Sequence, residues 1–211
     1  MTRAPAGAVA CSWRSLLRVL LGAVLSALLT PAPSLAAAVF RTNDITEAGF
    51  AAPSFKLMDH SGRIRTLADF KGKVVVIAFG FTSCPDVCPT TLAAFASVVQ
   101  ALGKDAQRVQ VLFMTLDPER DTAPLLSAYA AAFHPTFIGL RGGVEQTRKT
   151  ASEFRVFYRK VSTGTDGNYT IDHSTHSYVF GRDGRLRLFL RAGVSAGDIE
   201  HDLRLLLAEQ Q

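Results

Sequence analysis

Two thiols and one imidazole carry most of the chemistry available to this chain. Cys84 and Cys88 are separated by Pro85, Asp86 and Val87. This loop is wider than the two-residue spacing of thioredoxin-type oxidoreductases. Two sulfurs so spaced can still meet in a disulfide or on one metal ion. Pro89 follows directly, and proline is favoured at the first helical position. The free amides of a helix start favour an anion, so this placement predicts a stabilised Cys88 thiolate with a lowered pKa. A passive structural disulfide is the plainer alternative.

His173 lies 85 positions beyond Cys88, in Asp172-His173-Ser174 ahead of Tyr178-Val179-Phe180. Two thiolates and an imidazole make a three-donor soft site. Thiolates select Cu(I), zinc and iron–sulfur clusters, and imidazole suits copper and zinc. Three donors leave a position open for another ligand, through which the ion can leave. His176 is three residues further on, and positions three apart in an extended strand face opposite sides. His173 is therefore the candidate and His176 an accessory one. His60, His134 and His201 read as turn, helix-end and surface-helix residues. Asp117-Pro118-Glu119-Arg120-Asp121-Thr122 reads as a charged loop in which Asp121 or Thr122 caps the next helix. Partner docking is its functional alternative.

The elements that must position these groups alternate in type. Phe55–Asp59 and Ile64–Leu67 flank a turn at Ser61-Gly62, a short hairpin. Lys73–Phe79 is a continuous β-branched run and predicts a strand buried on both faces. Pro89–Leu102 has helical spacing, with Leu92, Phe95, Val98, Val99 and Leu102 on one side. Val109–Leu116 predicts a second buried strand and Thr122–Phe133 a helix. Thr136–Leu140 reads as a strand, Val144–Phe154 as a helix and Arg155–Val161 as a strand. A Gly/Thr/Asp/Asn-rich excursion follows over Ser162–Asn168. Ser177–Phe180 and Leu186–Leu190 flank a turn at Gly181–Gly184, and Ser195–Glu209 is a closing helix capped by Ser195. The thiols fall where the first buried strand ends, the end at which α/β sheets place their sites. This is the order of a thioredoxin-like α/β fold, although other α/β topologies share it.

The chain has 211 residues, net charge +5, 48% hydrophobic residues and three cysteines. That is one domain with extensions, too rich in apolar residues to be disordered. Three cysteines are too few for a disulfide framework or a four-cysteine zinc site. The first 36 residues read as a signal peptide: Arg3, Arg14 and Arg18, then the apolar run Val19–Leu29, then Ser34-Leu35-Ala36-Ala37-Ala38. That run is short of the roughly twenty residues a spanning helix needs. An uncleaved anchor, giving membrane association through the N-terminus, is the alternative. Cleavage after Ala36 or Ala38 removes Cys11 and three arginines, leaving twenty basic against eighteen acidic residues. With charge +2 and no basic stripe, nucleic acid is not an expected partner. Residues 37–52 read as an irregular lead-in and 53–211 as the functional domain, exported to the periplasm or the extracytoplasmic side of the membrane.

Phe79-Gly80-Phe81-Thr82-Ser83-Cys84-Pro85-Asp86-Val87-Cys88-Pro89-Thr90-Thr91-Leu92 resembles the copper motif of the Sco/SenC family of copper-binding proteins. Asp117–Thr122 resembles that family's second block, Phe137-Ile138-Gly139-Leu140 fits it, and Asp172-His173-Ser174 with Tyr178-Val179-Phe180 resembles its histidine block. The matches run from about Pro53 to Leu207. Ala123, between Thr122 and Pro124, departs from the family's usual Thr-Pro step. His176 stands where many relatives have a non-ligand.

The resemblance implies a thioredoxin-like fold with inserted β-hairpins. It implies copper, as Cu(I) or Cu(II), bound by Cys84, Cys88 and His173. It implies a metallochaperone, rather than an enzyme, that delivers copper to a cytochrome c oxidase subunit during assembly. Another copper carrier or a thiol reductant is the implied upstream partner. The alternative function is a thiol–disulfide reductase in which Cys84 and Cys88 are the redox pair that keeps the acceptor's copper-ligand cysteines reduced. A peroxide-reducing thioredoxin-fold enzyme is weaker, because it has no need of His173.

Overall fold

Residues 39–49, 52–164 and 167–209 are described by a computed structural model; the stretch read as a signal peptide, residues 1–36, lies outside them. Among the described residues the strands are, in chain order, β1 (Asn43–Asp44), β2 (Leu57–Asp59), β3 (Ile64–Arg65), β4 (Val74–Gly80), β5 (Val109–Thr115), β6 (Ile138–Arg141), β7 (Tyr158–Ser162), β8 (Tyr169–His173), β9 (Ser177–Phe180) and β10 (Leu186–Leu190). The α-helices are α1 (Val87–Ala101), α2 (Ala123–Phe133), α3 (Val144–Glu153) and α4 (Ala196–Ala208). No helix among these residues is long and apolar enough to cross a membrane.

Every residue of β4 is buried, as its β-branched run requires of a strand covered on both faces. Successive side chains point to opposite faces, so β4 feeds two cores. Val74, Val76 and Ala78 pack with Leu92 and Phe95 of α1 and Leu203 of α4. Val75, Ile77 and Phe79 pack on the other face with Phe154 and Tyr178. Each buried valine, leucine, isoleucine or phenylalanine among them contributes about 1.5–3 kcal/mol. The result is an α/β layer fold built on a mixed eight-stranded sheet of order β1-β10-β9-β4-β5-β6-β2-β3. β4, β5 and β6 run parallel, and β9 lies antiparallel beside β4. β7 and β8 form a separate two-stranded ladder, one of the inserted hairpins.

Three details differ from expectation. The segment read as an irregular lead-in supplies an edge strand, with Asn43 opposite Phe189 and Asp44 opposite Leu188. It is pinned there by Asp202 of α4, a fully buried carboxylate. Asp202 accepts from Arg41 N and Thr42 N at 2.8 Å each and from Thr42 Oγ1 at 2.6 Å. Second, α1 begins at Val87, so Cys88 lies inside its first turn and Pro89 is the third helical residue. Third, the chain after the polar excursion pairs as β8, a strand that the sequence pattern concealed. The cap of α2 is as expected: Thr122 accepts from Leu125 N, with Ala123 and Pro124 opening the helix.

Candidate metal centre

β4 ends at Gly80, and the chain turns through Phe81–Asp86 before entering α1. The turn is closed by Cys84 N donating to Phe81 O at 3.2 Å. A β-carbon on Gly80 would lie 2.6 Å from Cys88 Sγ and 2.9 Å from the Phe113 ring. Only a hydrogen fits where the first α1 turn crosses the strand end. The position therefore demands glycine for close approach, not for backbone freedom.

His173 arrives from the other direction. β9 is antiparallel to β4, with Ser177 opposite Ala78, so the chain just before β9 passes over the carboxyl end of β4. His173 is the last residue of β8, opposite Tyr158. The ladder continues past it, because Ser174 N donates to Phe157 O at 2.9 Å and Phe157 N to Ser174 Oγ at 3.1 Å. His173 Nε2 lies 3.5 Å from Cys88 Sγ. The ligand atoms of Cys84, Cys88 and His173 all fall within 4.8 Å of one another. Donors about 2.0–2.3 Å from one ion lie roughly 3.5–4 Å apart, so a small closure would bring all three to bonding distance.

The tautomer of His173 follows from its neighbours. Nδ1 is 2.7 Å from Ser174 O, and a carbonyl can only accept, so Nδ1 carries the hydrogen. Nε2 then presents a lone pair toward Cys88. Burial pushes the His173 pKa down, which keeps the ring neutral and able to ligate. The Phe81 ring meets the imidazole edge-on at 5.9 Å and fixes its tilt.

Cys88 corrects the expectation of a lowered pKa. It is buried, whereas Cys84 is half-buried, and both are free thiols. Removal from water pushes the Cys88 thiol pKa up, and the hydrogen bond with Cys84 adds to the rise. The helix-start amides do not offset this loss of solvation. The void beside Cys88 and His173 is about 10 Å³. That is the scale of one water or one ion and excludes an organic ligand.

Asp117–Thr122 is more than a charged loop. Asp121 is fully buried. Its carboxylate accepts from Thr82 N at 3.1 Å, Thr82 Oγ1 at 2.5 Å and Thr115 Oγ1 at 2.5 Å. Thr82 opens the thiol turn. Asp117, also fully buried, is ion-paired with Arg120 and accepts from Tyr169 OH at 2.8 Å. Arg120 Nη1 donates to Tyr169 O at 2.7 Å, and the guanidinium stacks over the Tyr169 ring at 3.7 Å. Its Nη2 is buried without an acceptor, and the aromatic face compensates through cation–π attraction. The sequence signal was present but easily misread. Acids directly after a buried strand, interleaved with arginine, suit a buried network as well as a solvated loop.

His176 does not join the centre. Its Nε2 donates to Tyr178 OH at 3.0 Å, and its ring stacks on Phe189 at 4.5 Å. It lines a cleft of about 440 Å³ with Phe154, Tyr178 and Phe189, side chains of the other core. His134 caps the end of α2 and His60 lies in the β2–β3 turn. His201 lies on α4 and reaches Val39 O. None of the three approaches the thiols.

Residues 43–208 match the SCO1/SenC family model. The chain is 38% identical over 170 residues to the mitochondrial SCO2 homolog of Bos taurus, a match covering 80% of this chain and 64% of that protein. It is 39% identical over 163 residues to an SCO2-like protein of Rickettsia felis, covering 77% and 78% of the two chains. The copper-bound structure of Bradyrhizobium japonicum ScoI superposes with a TM-score of 0.69 at 39% identity. That superposition covers 74% of this chain and 100% of that one. The match thus spans somewhat less than two thirds of the cattle protein's length and about three quarters of the rickettsial one's.

Proposed function

The chain belongs to the SCO1/SenC family, and from that premise we propose that it is a copper metallochaperone whose cargo is held by Cys84, Cys88 and His173. The acceptor is a cytochrome c oxidase subunit undergoing assembly. One observation carries the reading: a neutral imidazole presents its Nε2 lone pair 3.5 Å from a buried thiol, with a second thiol alongside. That donor set is soft and small, and it suits copper in either common oxidation state. The relative whose structure holds copper is 39% identical and supports the same assignment.

Loading displaces the thiol protons as two copper–sulfur bonds form, and Nε2 completes a three-coordinate site. The Nδ1–H···O bond to Ser174 holds the ring in its ligating tautomer throughout. A three-coordinate ion can accept a thiolate or imidazole from the acceptor before it loses a donor here. Transfer is then ligand exchange and never requires a bare ion. The domain works on the extracytoplasmic side of a membrane, after export directed by residues 1–36. The copper source is a second copper carrier, and a thiol reductant keeps Cys84 and Cys88 reduced.

The unequal exposure of the two thiols bears on the reductase alternative. A reductase would attack with the half-buried Cys84 and resolve with Cys88, and it would not need His173. The test is copper titration of the reduced protein beside its His173→Ala variant. One copper per wild-type chain with clear weakening in the variant is the expected result. Equal affinity would sink the three-donor site. Full rescue of oxidase assembly by His173→Ala would favour the reductase.

A further inference from the structure

The two halves of the centre are 85 residues apart in sequence and share no direct backbone ladder. The thiols sit at the end of β4, in the main sheet. The imidazole sits at the end of β8, in a separate two-stranded ladder. Something must hold the second against the first. The turn after β5 touches both, and does so with opposite ends. Asp121 faces the thiol turn, binding Thr82 through both its N–H and its hydroxyl. Arg120 faces the hairpin, holding the Tyr169 carbonyl and ring, while Asp117 holds Arg120 and the Tyr169 hydroxyl. Glu119 adds an exposed ion pair to Lys160 of β7. The turn is itself closed by Asp121 N donating to Asp117 O at 2.9 Å, so its two ends cannot move independently.

We propose that the Asp117–Asp121 turn is the positioning element of the centre: Asp121 fixes the thiol arm, and Arg120, locked by Asp117, fixes the arm that carries His173. The inference rests on the copper reading of the three donors, but it has a consequence independent of copper. Arg120 and Asp117 are positioning residues that act chiefly through the hairpin; the Arg120 guanidinium also lies 6.0 Å from the Phe81 ring, which itself meets the imidazole edge-on. Their loss must therefore be felt mainly at His173 and far less at the thiols. Asp121 acts through Thr82, so its loss must be felt by the thiols whether or not His173 is present. A buried carboxylate shared by three donors, and a guanidinium planar on a tyrosine ring, are rigid couplings rather than long flexible ion pairs.

Two measurements on the whole mature protein decide the matter. In the copper-free state, Arg120→Ala is expected to speed amide exchange across β7 and β8 by about tenfold or more while β4 and β5 exchange as in wild type. Tyr169→Phe, which removes only the hydroxyl, gives a smaller change in the same amides and serves if Arg120→Ala does not fold. An unchanged β7–β8 exchange in both variants overturns the proposal. The second measurement is a double-mutant cycle on copper affinity, read by competition with a chelator. Arg120→Ala is expected to weaken binding about tenfold in wild type and by no more than about twofold in the His173→Ala background. Asp121→Asn is expected to weaken binding by the same factor in both backgrounds. Equal Arg120→Ala effects with and without His173 would show a general loss of structure and overturn the coupling. If wild type and His173→Ala bind copper equally, it is the copper reading that has failed, and the exchange data still judge the brace.

Discussion

The arm that carries the thiols and the arm that carries the imidazole are built to different standards. The thiol arm grows from β4, all of whose residues are buried, and is continued by α1, whose apolar stripe packs into the same core. The histidine arm is a two-stranded ladder in which only Ile171 is fully buried. Its hold on the rest of the molecule passes through the Asp117–Asp121 turn, a few hydrogen bonds and the packing of the half-buried Tyr158 against the second core. The difference teaches a division of labour. Two donors are anchored in the most stable part of the fold, and the third is placed where opening is easiest. An ion leaving such a site should lose its imidazole first and its thiolates last.

Several experiments would break or sharpen that contrast. The largest effect belongs to the anchored arm: Cys84→Ser or Cys88→Ser should weaken copper binding by about a thousandfold, measured by chelator competition. Wild-type-like affinity in either variant would remove the thiols from the site. Gly80→Ala comes next, because its new methyl must push Cys88 Sγ or the Phe113 ring aside. The overpacking should cost about 1–3 kcal/mol by denaturant titration and should also loosen copper. His173→Ala should cost at least about tenfold in copper affinity. It should lower the stability of the copper-free protein by only about 1 kcal/mol in a denaturant titration, the scale of losing the one hydrogen bond that the half-buried ring makes to Ser174 O.

Acidity acts on both arms with one sign. Burial keeps the Cys88 proton on at neutral pH, so binding must release it, and that proton alone should raise affinity about tenfold per pH unit. The His173 pKa is depressed, so its ring stays neutral around pH 7 and gains a competing proton only as the solution becomes more acid than its ordinary value near 6.5. The pH slope should therefore steepen in acid for wild type and not for His173→Ala. The smallest effect is that of His176→Ala, whose ring belongs to the other core. Unchanged copper affinity is expected, and a clear loss would reassign it to the centre.

Much of this was legible in the sequence, and the exceptions share a cause. β4, α1 and β5 announce themselves through long apolar runs, and the Cys84–Cys88 spacing is visible in one line of text. Strand parity predicted only that His173 and His176 would not share one ion; the two do diverge, although the residues between them are not strand. β8 was concealed because Tyr169-Thr170-Ile171-Asp172-His173 buries a single side chain fully, leaving no periodic signal after the polar excursion. The raised Cys88 pKa was missed because local helix geometry was read without the loss of water that packing imposes. Asp117–Thr122 reads locally as a charged loop with a helix cap for the same reason. Burial of a polar group is decided by residues far away in the chain, and no local pattern carries it.

The hold of Asp202 on Arg41 and Thr42 joins the segment just before β1 to the last helix across 160 positions of chain. β9, the partner that completes one side of β4, also lies about a hundred residues downstream of it. Contacts so distant in sequence close late, because the loop entropy must be overcome before they reward it. A chain threaded out of a cell amino end first would therefore emerge with its sheet edge unpaired and its central strand half covered. In a chain that emerged so, the segment before β1 would find its anchor only when Asp202 of α4 followed.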